Sequence, residues 1–284
     1  MARTDSRWVR GAVSVAVCTA LMWVGAVAAH DASVPAKAQA SKTQQLTDVS
    51  AMRLQKVAAQ VYFVQGESAL GSTANRNFIS NAGFVITNDS VVVIDALGSP
   101  ALAEELVKQI KRVTSKPISH VLLTHYHADH IYGLQVFESL GAKIVANAQA
   151  REYINSETAH LRLDASRKDL APWVNDSTRM VAASQWLTAD ISQLTVGGVD
   201  FVLQHMGPAH TPEDTAVFLP QSGVLFIGDV VFRNRIPYVG QADSRHWIAA
   251  LDELLKLPVK IMVPGHGPAS DNPRQDMQLT RDYL

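Results

Sequence analysis

Three of the chain's ten histidines and one aspartate lie within the six residues HYHADH, at His125, His127, Asp129 and His130. Imidazole nitrogens are good ligands for zinc, and a carboxylate can complete such a site. His125 and His127 are two residues apart and follow an apolar run, so both side chains leave the same face of an extended backbone. A helix start capped by Asp129 would explain the aspartate but not the three histidines. The pattern therefore favours a metal site.

Three later segments have the same character, because each places one metal-ligating side chain just beyond an apolar run. They are His210 in GPAHTPED, Asp229 in FIGD and His266 in PGHGP. A single histidine in such a loop is unremarkable, and an aspartate at the end of a strand often caps a turn. The recurrence after strand ends, where αβ proteins place their sites, predicts that these segments converge on the histidine cluster.

The residues that must position these side chains alternate between strand and helix patterns. Short β-branched and apolar runs predict strands. These runs are VYFV (61–64), GFVIT (83–87), VVVID (91–95), HVLLT (120–124), KIVAN (143–147), LTVGGVDFVLQHM (194–206), AVFLP (216–220), VLFIGD (224–229) and IMVPG (261–265). Apolar residues at helical spacing predict helices at 101–113, 131–140 and 245–257, and another helix begins at 148–154. Two strand-rich halves with helices between them fit a four-layer αββα sandwich, in which helices flank two mixed β-sheets.

The N-terminus is typical of a secretory signal peptide. Arg3, Arg7 and Arg10 form a positive start, and the apolar run Gly11 to Ala28 that follows ends in small residues, where a signal peptidase cuts. An uncleaved membrane anchor is the alternative, since the run approaches spanning length. We expect residues 1–29 to be removed, which predicts a periplasmic or secreted protein with no stable membrane insertion after cleavage.

The predicted domain order after the signal peptide is a flexible lead-in at 30–56 and one αβ domain at 57–284, with an inserted helical segment at 155–186. The only cysteine is Cys18, inside the signal peptide. The mature chain therefore has no disulfide, no thiolate metal site and no cysteine nucleophile. Its net charge changes from −1 to −3 on cleavage. This charge argues against a nucleic acid partner and leaves a small-molecule substrate.

The motif HYHADH, together with GPAHT, GD and PGHG in that order, resembles the signature of the metallo-β-lactamase superfamily. The resemblance runs from about residue 57 to the C-terminus and implies the same αββα sandwich. It also implies two metal ions, expected to be Zn²⁺, with iron or manganese as other possibilities. His125, His127 and His210 would hold the first ion. Asp129, His130 and His266 would hold the second ion, and Asp229 would bridge both.

The resemblance implies a hydrolase in which a metal-bridging hydroxide attacks a carbonyl carbon. The substrate would be a small ester, thioester, lactone or β-lactam, and Asp129 could orient the hydroxide or transfer a proton. The zinc β-lactamases that use a cysteine ligand have it where this chain has Asp229, which weakens an antibiotic-resistance function. The chain is more similar to the dinuclear hydrolases that have an aspartate there.

Two other functions remain open within this resemblance. The persulfide dioxygenases of the superfamily hold one iron with two histidines and one aspartate, although the complete ligand set here provides a second site. The other is a non-enzymatic, exported protein that binds metal or sulfur.

Several segments near the site have two open interpretations. The loop 66–77 with Arg76 and the insertion 155–186 could cover the site as lids, or they could be a solvated loop and packing helices. The segment 232–247 carries three arginines and Tyr238, and it could bind the polar end of a substrate or be structural. Thr124 and Thr211 adjoin candidate ligands, where their hydroxyls could bond to those ligands or make ordinary turns.

Overall fold

The structure is a computed structural model that describes residues 52–240 and 242–284. The predicted signal peptide at 1–29, and the lead-in up to residue 51, lie outside the described residues. Within the described ranges, no helix is both long enough and apolar enough to cross a membrane. The first strand begins at Leu54, inside the segment for which the sequence predicts a lead-in.

The described chain forms two mixed β-sheets, as predicted. The seven strands of the first sheet are, in spatial order, β1 (Leu54–Ala58), β2 (Val61–Val64), β3 (Ala82–Ile86), β4 (Val91–Ile94), β5 (Ile118–Leu122), β6 (Lys143–Asn147) and β7 (Gln185–Leu187). The five strands of the second sheet are, in spatial order, β12 (Ile261–Pro264), β11 (Val224–Gly228), β10 (Thr215–Leu219), β9 (Val199–His205) and β8 (Ile191–Val196). Pairing is antiparallel from β1 to β4 and from β8 to β11, and parallel from β4 to β7 and between β11 and β12.

Seven helices are present in the described part of the chain. They are α1 (Pro100–Val113), α2 (Ala128–Ile131), α3 (Leu134–Ser139), α4 (Ala150–Ile154), α5 (Glu157–Asp169), α6 (Ser244–Leu254) and α7 (Pro273–Tyr283). Helix α1 begins where Ser99 accepts a hydrogen bond from the Leu102 amide, with Pro100 at the first helical position. Both features favour a helix start, because the serine satisfies a free amide and proline has none.

Alternation along the central strands produces the four layers. Val91 and Val93 of β4 pack into a core with α1 and α3, while Val92 and Ile94 face the second sheet. In β11, Phe226 faces the first sheet and Leu225 packs against α6 and α7. Successive side chains of a strand point to opposite faces, so both faces of each sheet are buried. The predicted αββα sandwich is confirmed.

The sequence predicts one helix at 131–140, but the structure has two, α2 and α3. Gly133 separates them because the chain there packs against the turn after β4. A Cβ atom at position 133 would lie 2.0 Å from the Ala96 carbonyl oxygen. The Gly133 amide donates to Leu97 O at 3.2 Å, and the Ala96 amide donates to His130 O at 2.8 Å. Tertiary hydrogen bonds therefore override the continuous helical periodicity at this point.

The predicted insertion at 155–186 is only partly helical. Helix α5 covers Glu157–Asp169, and the following residues run irregularly to β7, which pairs in parallel with β6. Trp186 is therefore in a strand. Helix α7 has no counterpart among the sequence predictions, although Pro273 marks its first turn.

Candidate metal centre

The seven candidate ligands meet at one edge of the sandwich. His125, His127, Asp129 and His130 follow the carboxyl end of β5. Asp229 follows β11 directly, and His266 lies two residues after β12. His210 lies in the loop between β9 and β10. Four strand ends from the two sheets therefore supply every candidate ligand, which is the convergence that the sequence predicts.

His125, His127 and His210 form the first cluster, which we call the imidazole group. One ring nitrogen of each lies within 4.8 Å of the others. His210 Nε2 is 3.0 Å from His127 Nδ1. Two nitrogens on one tetrahedral zinc ion are about 3.3 Å apart, given Zn–N bonds of about 2.0–2.1 Å. The separation is therefore close to what a shared ion requires.

Asp129, His130 and His266 form the second cluster, which we call the carboxylate group; their ligand atoms also lie within 4.8 Å of one another. His266 Nε2 is 3.2 Å from Asp129 Oδ2, and His130 Nε2 is 3.6 Å from the same oxygen.

Asp229 lies between the two groups. Its Oδ2 is 3.6 Å from His210 Nε2 and 3.2 Å from His266 Nε2. Its Oδ1 is 3.4 Å from His130 Nε2. The carboxylate therefore contacts members of both groups, as a bridging ligand must. The close fit depends on Gly265, where a Cβ atom would lie 2.0 Å from Asp229 Oδ1.

Within the described residues, three buried polar atoms of the centre have no hydrogen-bond partner: His125 Nε2, His130 Nε2 and Asp229 Oδ1. Buried polar atoms are normally paired, because an unpaired one loses its hydration without compensation. These three residues also form a cluster with ligand atoms within 4.8 Å of one another. Nitrogen and carboxylate donors of this kind suit zinc. The residues present therefore fit a metal centre.

Asp95 supports both groups, and sequence reasoning did not single it out. Its Oδ2 accepts hydrogen bonds from His130 Nδ1 at 3.0 Å and from Thr124 Oγ1 at 2.8 Å. The Thr124 hydroxyl in turn accepts from His125 Nδ1 at 3.0 Å. Each histidine thus keeps its Nε2 directed into the centre. In the sequence, the only signs of this supporting role are the aspartate that ends VVVID and the hydroxyl of Thr124.

The segment Ile79 to Asn81 also holds the carboxylate group in place through hydrogen bonds. Ile79 O accepts a hydrogen bond from His266 Nδ1 at 2.6 Å, and Ser80 Oγ donates to Asp129 O at 2.5 Å. The Asn81 amide nitrogen Nδ2 donates to two carbonyls of the 264–267 loop, at 2.7 and 2.8 Å. This segment therefore orients Asp129 and His266, two members of the carboxylate group.

The imidazole group is held in its neutral form. Burial lowers the pKa of His125 well below its ordinary value of 6.5, and neighbouring histidines add to the effect. Burial, with His210 beside it, lowers the pKa of His127 to about 4. Burial also lowers the pKa of His210. Neutral imidazole is the form that binds metal.

The two histidines of the carboxylate group instead favour the protonated form. Burial opposes a charge on His130, but Asp129, Asp95 and Asp229 outweigh it and raise its pKa well above 6.5. In the same way, Asp229 and Asp129 outweigh burial and raise the pKa of His266 to about 9. The two imidazoles hold the pKa of Asp129 below its usual range against the effect of burial. Without a metal ion, this group is a set of buried ion pairs.

A cavity of about 280 Å³ opens onto the centre. Five of the seven candidate ligands line it, and Arg162 of α5 and Arg235 of the segment after β11 lie on its wall. Pockets of this size bind small molecules. The α5 part of the insertion and part of the 232–247 segment therefore face the candidate site.

Other candidates from the sequence are structural. Thr211 donates its amide and its hydroxyl to Asp214, both at 2.7 Å, and not to a candidate ligand. Trp173 Nε1 donates to Thr73 O at 2.8 Å, and the Arg76 guanidinium lies 6.0 Å from the Trp173 ring centroid. These contacts tie the loop 66–77 to the segment that follows α5.

Fold and site together define a candidate metal centre at one edge of an αββα sandwich. The model of the metallo-beta-lactamase superfamily matches residues 75–266, so the chain belongs to this superfamily. Metallo-beta-lactamase IND-1 of Chryseobacterium indologenes is 23% identical over 201 residues, covering 69% of this chain and 75% of that protein. The linear primary-alkylsulfatase of a Pseudomonas species is 23% identical over 232 residues, covering 69% of this chain and 43% of that protein.

Solved structures show the same fold. A metallo-beta-lactamase from Pontibacter korlensis superposes with a TM-score of 0.63 at 22% identity, covering 82% of this chain and 98% of that chain. The β-lactamases and the sulfatase among these relatives are metal-dependent hydrolases, and this chain is an enzyme of that type.

Proposed function

We propose that the protein is an exported hydrolase that uses two zinc ions to cleave a small ester, thioester, lactone or β-lactam. The observation that carries this proposal is the set of unpaired buried atoms His125 Nε2, His130 Nε2 and Asp229 Oδ1 beneath an open cavity. The imidazole group would hold one ion and the carboxylate group the other. Asp229 would be shared, since its two oxygens face both groups.

Bound divalent cations would supply a nucleophile by lowering the pKa of water, and they would polarise the carbonyl of the substrate. The side chains of this chain contribute orientation. Asp129 lines the cavity and is 16% exposed, against 6% for Asp229. Asp129 would therefore orient the attacking water next to the reacting carbonyl, since the neighbouring imidazoles hold the pKa of its carboxylate below the usual range. The Ser80 hydroxyl, bonded to the Asp129 carbonyl, fixes the backbone that carries this carboxylate.

The substrate classes in the relatives' names help to choose the compounds that should be assayed. IND-1 is a metallo-β-lactamase, and a second relative is an alkylsulfatase. Protein of measured metal content should be assayed against an ester, a thioester, a lactone, a β-lactam and an alkyl sulfate. We expect zinc-dependent hydrolysis of at least one carbonyl substrate, with loss of metal and of activity in His127→Ala. Unchanged activity in that variant would refute the ligand assignment.

The same assay separates the other candidate functions. One iron per chain together with oxygen uptake would show that the protein is a dioxygenase and not a hydrolase. Zinc-loaded protein that hydrolyses nothing in the panel would favour a metal-binding accessory protein.

We also propose that the mature protein is periplasmic or secreted. The support is the positive start and apolar run of residues 1–29. N-terminal sequencing of the protein from its native host should place the first residue near position 29 or 30. A mature protein that retains Met1 would contradict export with cleavage.

A further inference from the structure

A second cavity, of about 310 Å³, adjoins the cavity over the metal centre. Three residues line both cavities, namely His127, Tyr153 and Thr158. We call the second cavity the side lobe, and its other lining residues are Gln149, Glu152, Ser156, Thr211, Pro212 and Glu213. A molecule whose carbonyl lies at the metal centre can therefore extend past His127 into the side lobe.

The side lobe carries negative charge without a matching positive charge. Glu152 and Glu213 line it, and within the described part of the chain no lysine or arginine does. Among residues 52–240 and 242–284, neither glutamate forms an ion pair with a lysine, an arginine or a histidine. The side lobe is therefore acidic, and the protein itself does not neutralise it.

Glu213 is the buried member of this pair, because only 4% of it is exposed. Its Oε1 accepts a hydrogen bond from the Tyr126 amide at 3.1 Å. Burial nevertheless raises the pKa of Glu213, and the hydrogen bonds and the nearby His205 only partly oppose this effect. The His205 ring donates from Nε2 to the Pro212 carbonyl at 2.8 Å. Buried carboxylates are normally paired with a cation, so Glu213 is suited to a ligand that brings one.

Tyr153 adds an aromatic ring to the same wall. It lies on α4, is half-buried, and lines both the side lobe and the metal cavity. Burial raises its pKa, and the carboxylates of Glu213 and Asp129 add to the effect, so the ring remains a neutral phenol at neutral pH. Carboxylates and electron-rich aromatic rings are both attractive to ammonium groups. The side lobe offers both kinds of partner.

We propose that the side lobe binds an ammonium group of the substrate. The inference rests on the proposed hydrolase function, because it names the substrate class of the same site. An ammonium group brings three hydrogen-bond donors, and it supplies the cation that the buried Glu213 carboxylate lacks. Glu152 is exposed and therefore contributes less, since water screens its charge. The substrate then has two recognised points: a carbonyl at the metal centre and an ammonium group in the side lobe.

Matched esters test this selectivity. The esters 4-nitrophenyl 6-aminohexanoate and 4-nitrophenyl heptanoate have acyl chains of equal length, and only the first carries an ammonium group at neutral pH. The selectivity is the ratio of their kcat/KM values, and the wild-type protein should prefer the amino ester. We expect E213Q to lower the ratio about 10- to 100-fold, chiefly through KM, because charge-assisted hydrogen bonds are lost. The glutamine still accepts from the Tyr126 amide, so the backbone between His125 and His127 keeps its support.

E152K tests the side lobe without changing a buried group. Glu152 is exposed, so the variant should keep its melting temperature and its metal, and the ratio should fall about two- to tenfold. E157K is the matched control, because Glu157 is also exposed and lies in the first turn of α5 but does not line the side lobe. E157K should keep the wild-type ratio. An equal fall in E152K and E157K would show a general effect of net charge and would overturn the ammonium site.

Direct binding separates this inference from the proposed function, because it needs no turnover. Calorimetry on the metal-loaded protein should show tighter binding of 6-aminohexanoate than of heptanoate, and this preference should fall about tenfold in E213Q but not in E157K. If no ester is hydrolysed but the preference is present and falls in E213Q, the hydrolase proposal fails and the ammonium site stands.

The opposite result is equally clear. If esters are hydrolysed but the selectivity ratio is the same in the wild type, E213Q and E152K, the hydrolase proposal stands and the ammonium site is wrong. The absence of any preference for 6-aminohexanoate over heptanoate in the wild-type protein would also overturn it. Should E213Q lose its metal, the ratio in E152K decides between the two results.

Discussion

The imidazole group and the carboxylate group are built from similar side chains but have opposite protonation. Burial among other histidines keeps His125, His127 and His210 neutral, with the pKa of His127 lowered to about 4. In the carboxylate group, buried aspartates raise the pKa of His266 to about 9. The neighbours of each imidazole, and not its residue type, therefore decide its charge.

This difference bears on how the two groups accept metal. The imidazole group offers free nitrogen lone pairs at neutral pH. The carboxylate group must first lose the protons of His130 and His266, because only neutral imidazole binds metal. The two halves of one centre should thus load metal with different pH dependence.

The largest effect should come from removing one ligand of each group. We expect His127→Ala and His266→Ala each to lower hydrolysis by more than about 100-fold, because even partners that only orient ligands contribute 10- to 100-fold. Metal analysis should find about one ion left in each variant. Retention of two ions in either variant would contradict the division into two groups.

Asp95→Asn tests the support that the two groups share. The variant weakens the acceptor of His130 Nδ1 and of the Thr124 hydroxyl, so we expect metal affinity to fall about 10- to 100-fold. Thr124→Val is the matched variant, because it removes the hydroxyl that links His125 to Asp95 but leaves the bond from His130 Nδ1 to Asp95. Zinc titration with a competing chelator should show both ions weakened in Asp95→Asn and chiefly one in Thr124→Val. Equal effects on both ions in Thr124→Val would contradict the separate paths of support.

Proton release distinguishes the groups directly. Because the pKa of His266 is about 9 and that of His130 is also raised, zinc binding to the carboxylate group at pH 7 should release protons. Its affinity should therefore fall as the pH is lowered from 9. Calorimetry in buffers of different ionisation enthalpy measures the number released. His266→Ala, which retains the imidazole group, should release fewer protons, and an equal number would argue against this protonation state.

The smallest effect concerns the stability of the metal-free protein. A histidine whose pKa rises on folding stabilises the fold at low pH, and this stabilisation is lost as pH rises from 6.5 through about 9 for His266. A histidine whose pKa falls on folding destabilises the fold as pH drops from 6.5 toward about 4, as for His127. We expect His266→Ala to flatten the alkaline side of the stability profile and His127→Ala the acidic side, in denaturant unfolding at several pH values. Parallel profiles for the two variants would contradict the comparison.

Much of the fold could be predicted from local pattern. The runs VYFV and KIVAN match strands β2 and β6 residue for residue, because β-branched apolar residues suit a buried strand. The split between α2 and α3 could not be predicted, since it depends on contacts between Gly133 and the turn after β4. The three-residue strand β7 could not be predicted either, because in the part of the chain that the structure describes it pairs with β6 alone.

Part of the candidate site could likewise be predicted from the sequence, and part of it could not. The spacing of HYHADH and the strand-end positions of His210, Asp229 and His266 predict every member of the two groups. Asp95 lies 30 residues before His125, and nothing local distinguishes it from an aspartate that ends a strand. Its role follows only from the parallel pairing of β4 and β5, which brings their carboxyl ends side by side.

The sequence by itself determined which residue types could bind metal and that they follow strand ends, because strand periodicity and ligand chemistry are both local properties. Only the tertiary structure decided which histidines are neutral, since their charge depends on burial and on the carboxylates that folding brings beside them. It also placed Arg162 and Arg235 on the wall of the cavity, because the packing of α5 and of the segment after β11 decides which of their side chains face the centre.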